Sequence, residues 1–374
     1  MMSSSTAETA NRTVLNELLE RGAIDIQASE LFQLQPSPLP TEVSFSKVEG
    51  MLLGLAVGDA LGITSEGFLP ADRREFFGEI RDYLPNRYNG REEGYPSDDT
   101  QLAFWTLEQM LEDDGFDPDR VAARFCRGKI FGLGSTVRGF LRNYKGGTRP
   151  WWKCGPQSAG NGALMRIAPI LVPHLREPSP ALWADTALSA AITHNDSASI
   201  AACVAFVSIL WELLGRTAAP EPQWWVDSYV RVARELEHRQ DYRPRAGDFP
   251  GYQGSLWRFV EEKVPAAFER DLTTLEACES WYSGAYLLET VPCVLYILMC
   301  HGDDAETAMV RAVNDTRDND TIAAIVGAAV GALHGREALP DRWIAKLTGR
   351  TTDSDDGRVF ELIELARRRW WESA

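Results

Sequence analysis

The chain has 374 residues, 44% of them hydrophobic and 25% charged, with a formal net charge of −16. That length holds one large domain or two ordinary ones, and the composition is that of a globular protein. The acidic balance argues against a nucleic-acid or anionic-membrane surface, and an anionic substrate would need local cations or backbone N–H groups.

The first residues, Met1 to Glu8, have neither the basic start nor the apolar core of a signal peptide. Residues 1–45 read as an N-terminal extension. Thr13 to Arg21 predicts a short amphipathic helix ending at Gly22, Ser29 to Leu34 another turn, and Pro36, Pro38 and Pro40 an extended connector. Leu15, Leu18, Leu19, Ile24, Ile26, Leu31, Phe32 and Leu34 are more apolar than a solvated tail requires. A loosely docked tail and a partner-binding arm are both open readings.

Residues 46–374 read as one domain in which helical signals dominate and strand patterns are few, so an all-α fold is expected. Helices are predicted over about 47–61, 99–112, 118–127, 135–143, 161–172, 181–192, 196–214, 224–238, 254–262, 283–300, 304–313 and 321–334. The stretch from 215 to 270, rich in Trp, Pro and charge, reads as a peripheral insertion with little chemistry. The longest apolar run, Ala198 to Leu210, is too short to span a bilayer and reads as a buried helix. Six scattered cysteines, with no Cys-x-x-Cys pair, fit reduced thiols in a cytoplasmic protein better than disulfides or a zinc site. Gly50, Gly54, Gly58 and Gly62 recur every four residues, as do Gly327, Gly331 and Gly335. Glycine costs about 1 kcal/mol inside a helix relative to alanine, so such stripes imply close backbone approach between central helices.

Two acidic knots, Ser97-Asp98-Asp99-Thr100 and Asp318-Asn319-Asp320-Thr321, stand where loops run into apolar helices. A cap explains one carboxylate at such a place, not two, and like charges that close repel unless a cation lies between them. If the fold joins the knots, carboxylates and hydroxyls without a soft ligand suit Mg²⁺ or Mn²⁺. The three Asp between 315 and 320 lack the Gly and Glu spacing of an EF-hand. Asp59, inside an apolar helix, is either part of such a site or a cap for a neighbouring helix, and Glu66 is either a loop acid or a surface residue. Gly132-Leu133-Gly134-Ser135-Thr136 leads into a helix and has the make-up of a phosphate cradle or of an ordinary turn. Gly160-Asn161-Gly162 permits unusual backbone angles, and Thr193-His194 lies in a turn between apolar helices.

In order, Gly50 to Gly62, Ser97 to Thr100, Gly160 to Arg166, Thr193-His194 and Asp318 to Ala324 resemble the motifs of the ADP-ribosylglycohydrolase family, over about 47–350. The resemblance implies an all-α fold with a binuclear Mg²⁺ centre, for which Mn²⁺ could substitute. It puts Ser97, Asp98, Asp99, Asp318, Asp320 and Thr321 at the metals, and makes Glu66, Asp98 and Asp99 the candidate acid–base residues. Gly132, Gly134, Ser135 and Thr136, with Gly160, Asn161 and Gly162, would hold diphosphate and ribose; His194, Gly284 and Tyr286 would lie near the ligand. The implied reaction is removal of ADP-ribose from a modified protein, from arginine in the leading reading, with serine-linked and small-molecule substrates open. An alternative is a binding protein whose residues 1–45 occlude an ADP-ribosyltransferase toxin, with little turnover. Two departures stand out: Ser97 where Thr is common, and Thr316-Arg317 where Gly-Gly is usual.

Overall fold

The computed structural model describes residues 4–372, so the ends of the N-terminal extension and of the domain at 1–3 and 373–374 lie outside the described residues. The helices, in chain order, are α1 (Ser4–Glu20), α2 (Phe45–Gly62), α3 (Pro70–Phe77), α4 (Asp98–Asp113), α5 (Pro118–Phe125), α6 (Ser135–Lys145), α7 (Ala181–Thr193) and α8 (Ser197–Leu214). They continue with α9 (Pro222–Leu236), α10 (Leu256–Glu269), α11 (Thr274–Ser280), α12 (Leu287–His301), α13 (Ala305–Asp315), α14 (Asn319–His334), α15 (Asp341–Lys346) and α16 (Arg358–Arg367). Among the described residues, β-pairing is confined to isolated bridges. The chain is all-α, as expected.

The centre is an antiparallel pair, α2 against α14. Leu52, Leu53, Leu55, Val57 and Leu61 point around α2 in several directions and all are buried, the pattern of a helix enclosed by protein. The two glycine ladders face each other. A Cβ on Gly54 would lie 2.1 Å from the Gly327 carbonyl oxygen, one on Gly331 2.0 Å from that of Gly50, and one on Gly58 2.1 Å from that of Ala323. Only hydrogen fits there, so the glycines set how closely the helices approach. At the far end the same crossing puts Gly62 against Asp320.

α4 is tied to this pair through Asp59. Its carboxylate accepts from Ser97 N (2.9 and 3.0 Å), Thr100 N (3.0 Å) and Thr100 Oγ1 (2.6 Å). Of the two readings open for Asp59, it has the role of a cap delivered from a neighbouring helix. Asn319, buried, donates to Gly62 O, Ser65 Oγ and Val313 O, closing the same corner.

The N-terminal extension packs on α7. Leu15, Leu18, Ile24, Ile26 and Phe32 are buried in the common core, and Asn11 Nδ2 donates to Asp185 Oδ1 (2.7 Å) and Phe116 O (2.8 Å). Trp183 and Trp211 donate their indole N–H groups to Leu34 O and Ser37 O, both at 2.8 Å, which holds the proline connector down.

Some local expectations fail for identifiable reasons. The helix predicted over 161–172 is instead two 3₁₀ segments, Leu164–Arg166 and Ala168–His174, because Pro169 and Pro173 cannot donate to an α-helical ladder. The helix predicted from 283 starts at Leu287, since Tyr282 and Ser283 adopt left-handed backbone (φ 73° and 45°). The short helices α3, α11 and α15 carry too few apolar repeats to be seen in sequence, whereas α16, also not predicted, does show the pattern in Val359, Leu362, Ile363 and Ala366. Residues 215–270 are not merely peripheral: Trp225, Tyr229 and Phe259 are buried in the core from α9 and α10. The run read as too short to span a bilayer extends to Ser197–Leu214; this helix and Phe45–Ser65 are long and apolar enough to do so, yet 94% and 83% of their most apolar 18-residue stretches are buried within the fold.

Candidate active site

Where α2, α4 and α14 converge, a cleft of about 420 Å³ opens. The first-knot residues Asp98 and Asp99 and the second-knot residues Asp318, Asp320 and Thr321 all line it, together with Glu66. Ser97 is the N-cap of α4 and borders a smaller side cavity. It donates to Asp99 Oδ2 at 3.0 Å.

Two sets of carboxylates each bring one oxygen per residue within 4.8 Å of one another: Asp59, Asp99 and Asp320, and Glu66, Asp318 and Asp320. Asp320 belongs to both. Asp59 is committed to the amides of α4, which leaves Asp99 and Asp320 as the free donors of its set. Asp99 Oδ1 is buried without a hydrogen-bond partner.

The electrostatics of the cluster suit a cation. Burial, followed by the charges of Asp59, Glu66 and Asp318, pushes the Asp98 carboxyl up to about 8. Burial and then the neighbouring Asp59, Asp98 and Asp318 hold Asp99 well above the carboxylate range, and burial with Asp99 and Asp318 does the same to Asp320. Burial raises Asp318 to about 6, against the lowering effect of its Asn161 hydrogen bond. A crowded, buried, oxygen-only set with an orphaned oxygen fits a hard divalent cation; zinc would favour sulfur or imidazole.

The rest of the cleft is backbone-rich. Gly132 lies against the Asp98 carboxylate: a Cβ there would come 2.5 Å from Asp98 Oδ1, so a larger residue would have to displace that side chain. Gly134 is the N-cap of α6, with Ser135 and Thr136 in its first turn, so free N–H groups face the cleft. Thr136 Oγ1 lies 2.9 Å from Ser158 Oγ. Gly160 and Gly162 line the wall beside His194, where a Cβ on Gly162 would approach the His194 Cε1 to 2.9 Å. Asn161 Nδ2 donates to Asp318 Oδ2 at 2.6 Å and so orients the second knot.

His194 lines the cleft but is 1% exposed, and burial and then Arg166 push its imidazole down to about 3. It is neutral at working pH and bonded to Thr193 Oγ1 through Nδ1 (2.9 Å), a wall rather than a proton carrier. Tyr286 lines the cleft next to that wall, bridged to Gly160 through the backbone, while Gly284 borders a second opening.

Sequence reasoning missed two contributors. Arg245, from the stretch thought to carry little chemistry, lines the cleft, stacks over Tyr286 at 5.1 Å and forks onto buried Glu289 (2.6 and 2.9 Å). Ser283 accepts the Asp318 N–H at 3.0 Å through its carbonyl, and the Arg317 N–H at 3.1 Å through Oγ. Neither residue lies in a motif, so no local signal marks them; the two consecutive left-handed residues are visible only in the backbone.

Residues 40–372 match the family model described as ADP-ribosylglycohydrolase. The ADP-ribosyl-[dinitrogen reductase] glycohydrolase of Rhodospirillum rubrum is 26% identical over 322 residues, 85% of this chain and 95% of that protein. The ADP-ribosylarginine hydrolase Tri1 of Pseudomonas putida is 24% identical over 326 residues, 84% of this chain and 78% of that one. A solved ADP-ribosylglycohydrolase-related protein complex superposes with a TM-score of 0.65 at 27% identity, covering 88% of this chain and 98% of its own.

Proposed function

The chain belongs to the ADP-ribosylglycohydrolase family, and we propose that it is a Mg²⁺-dependent hydrolase that removes ADP-ribose from arginine side chains of a modified protein. The observation that carries this reading is the meeting of both acidic knots in one cleft, next to loops that offer backbone N–H groups instead of carboxylates. One wall suits cations, and the adjoining wall suits the phosphates of an anionic ligand in an otherwise acidic protein.

In this reading Asp98, Asp99, Asp318 and Asp320, with the hydroxyls of Ser97 and Thr321, would hold two Mg²⁺ ions, which would supply positive charge for ordering ribose hydroxyls and a water and for stabilising developing charge. The first turn of α6 and the Gly160–Gly162 turn hold diphosphate and ribose, which sets the C1″–N bond beside the acids. Water adds to C1″, the guanidine leaves, and one proton passes from the water to the leaving nitrogen. Glu66, Asp98 and Asp99 are the groups that can carry it. Glu66 stands on the loop that follows α2 and lines the cleft, where partial desolvation of its carboxyl, against the lowering effect of Arg87, raises its affinity for a proton, which suits a carrier.

The name of the Pseudomonas putida relative supports arginine as the acceptor. Free cysteines support a reducing, cytoplasmic setting. The reading of residues 1–45 as a toxin-occluding arm loses its main support, because Leu15, Leu18, Ile24, Ile26 and Phe32 are buried in this chain's own core. The test is hydrolysis of arginine-, serine- and O-acetyl-linked ADP-ribose, with and without Mg²⁺. Release from arginine alone, abolished by chelation, is the expected result. Equal release from all three, or release that survives chelation, would sink it.

A further inference from the structure

A second opening of about 420 Å³ joins the cleft at Glu66, Arg245, Ala285 and Asp318, and includes none of the Gly132–Thr136 loop. Its own wall is made by Tyr282, Gly284 and Arg317. If the diphosphate lies on the glycine loops, this opening is on the far side of the scissile bond, where the leaving group and the polypeptide attached to it must pass.

Arg317 is the unusual feature of that wall. Its guanidinium stacks over the Tyr282 ring at 4.5 Å, and among the described residues no carboxylate pairs with it. Arg245, by contrast, is neutralised by Glu289. The stack is held by the left-handed Tyr282–Ser283 backbone and by the Arg317 N–H bond to Ser283 Oγ. Arg317 does not line the main cleft, so the diphosphate is not its partner. A free cation here also repels a bare ADP-ribosyl-guanidinium, which is itself positive. Beyond Glu66 and Gly67 the surface continues into Phe68, against which Phe76 and Phe77 pack while 68% and 39% exposed, a patch suited to a polypeptide.

We propose that Arg317, presented on Tyr282, is a specificity residue of an acceptor-side pocket that selects modified arginines flanked by acidic residues of the target protein. This rests on the hydrolase reading above and names its substrate class. A carboxylate beside the modified arginine would pair with Arg317 and cancel the repulsion.

The test compares ADP-ribosyl-arginine peptides that differ only in Asp or Ser beside the modified residue, at low ionic strength. We expect wild-type kcat/KM to favour the Asp peptide by about tenfold, through KM and not kcat. The preference should vanish in Arg317→Gln, return in Arg317→Lys and weaken with salt. Equal kcat/KM for both peptides, or a preference that Arg317→Gln retains, overturns the proposal while leaving the hydrolase reading intact. Fluorescence anisotropy of the same peptides without Mg²⁺ separates the two ideas. Arg317-dependent tighter binding of the Asp peptide without any turnover in Mg²⁺ would uphold the pocket and sink the hydrolase. The absence of both a binding preference and a rate preference would sink the pocket.

Discussion

Gly62 and Asp320 are in direct contact: a Cβ on Gly62 would lie 2.4 Å from both the Asp320 Cα and its backbone N. The last step of one glycine ladder therefore packs on the backbone of the residue whose carboxylate belongs to both acidic sets. The packing of α2 against α14 and the shape of the candidate metal site are one feature, which separates two kinds of glycine variant. Gly54→Ala, midway along the crossing, drives a methyl into the Gly327 carbonyl and should cost about 3 kcal/mol or more, read as a lower denaturation midpoint. Gly62→Ala should in addition weaken Mg²⁺ binding in calorimetry; unchanged affinity would separate the ladder from the site.

Mg²⁺ should stabilise the protein by mass action, by about 2.7 kcal/mol when present at 100 times its Kd. Asp320→Asn should abolish that gain. Without metal, the same variant should be at least as stable as wild type, because it removes a carboxylate held well above its usual range by burial and then by Asp99 and Asp318. Thermal melts with Mg²⁺ and with chelator check both signs.

Asp59→Asn should act mainly on folding. An amide presents N–H groups where Ser97 N, Thr100 N and Thr100 Oγ1 now donate, so about 1–3 kcal/mol should be lost. Chemical denaturation gives the cost. If the variant instead keeps its stability and loses Mg²⁺ binding, Asp59 is a ligand and not a cap.

Glu237 provides a pH signature away from the site. Buried, it accepts from Leu256 N and Trp257 N at the start of α10, and burial pushes its carboxyl up to about 8 from 4.5. The folded state therefore holds this proton more tightly than the unfolded state. Its contribution is fully present below pH 4.5 and is lost as pH rises through 8. Glu237→Gln should gain stability relative to wild type between those values, in melts taken across the range; a constant difference would contradict the assignment.

Docking of the N-terminal extension makes Leu18→Ala a core mutation, with an expected loss of about 2–5 kcal/mol. Removing residues 1–40 should lower the melting temperature as well. An unchanged midpoint for either protein would mean that the extension is not part of the fold in solution.

The sequence by itself determined the all-α class, the two acidic knots, the glycine ladders and the glycine-rich loops. Each is written in contiguous residues: helical periodicity, paired Asp beside an apolar run, and glycine at four-residue spacing are local patterns with local physical causes. Glu66 was marked as a candidate by its place after a glycine-ended helix, though not as the residue shared by the cleft and its side openings. Only the tertiary structure decided that Asp59 caps α4 across 38 residues, that Ser283 and Asn161 orient Asp318, and that Arg245 reaches the cleft from a stretch that looked unremarkable. The same holds for the first forty-five residues, whose apolar pattern fits a partner or the chain's own α7 equally well. Periodicity states that a surface must be covered; which surface covers it depends on packing between distant segments, and that is set when α2 and α14 close on each other.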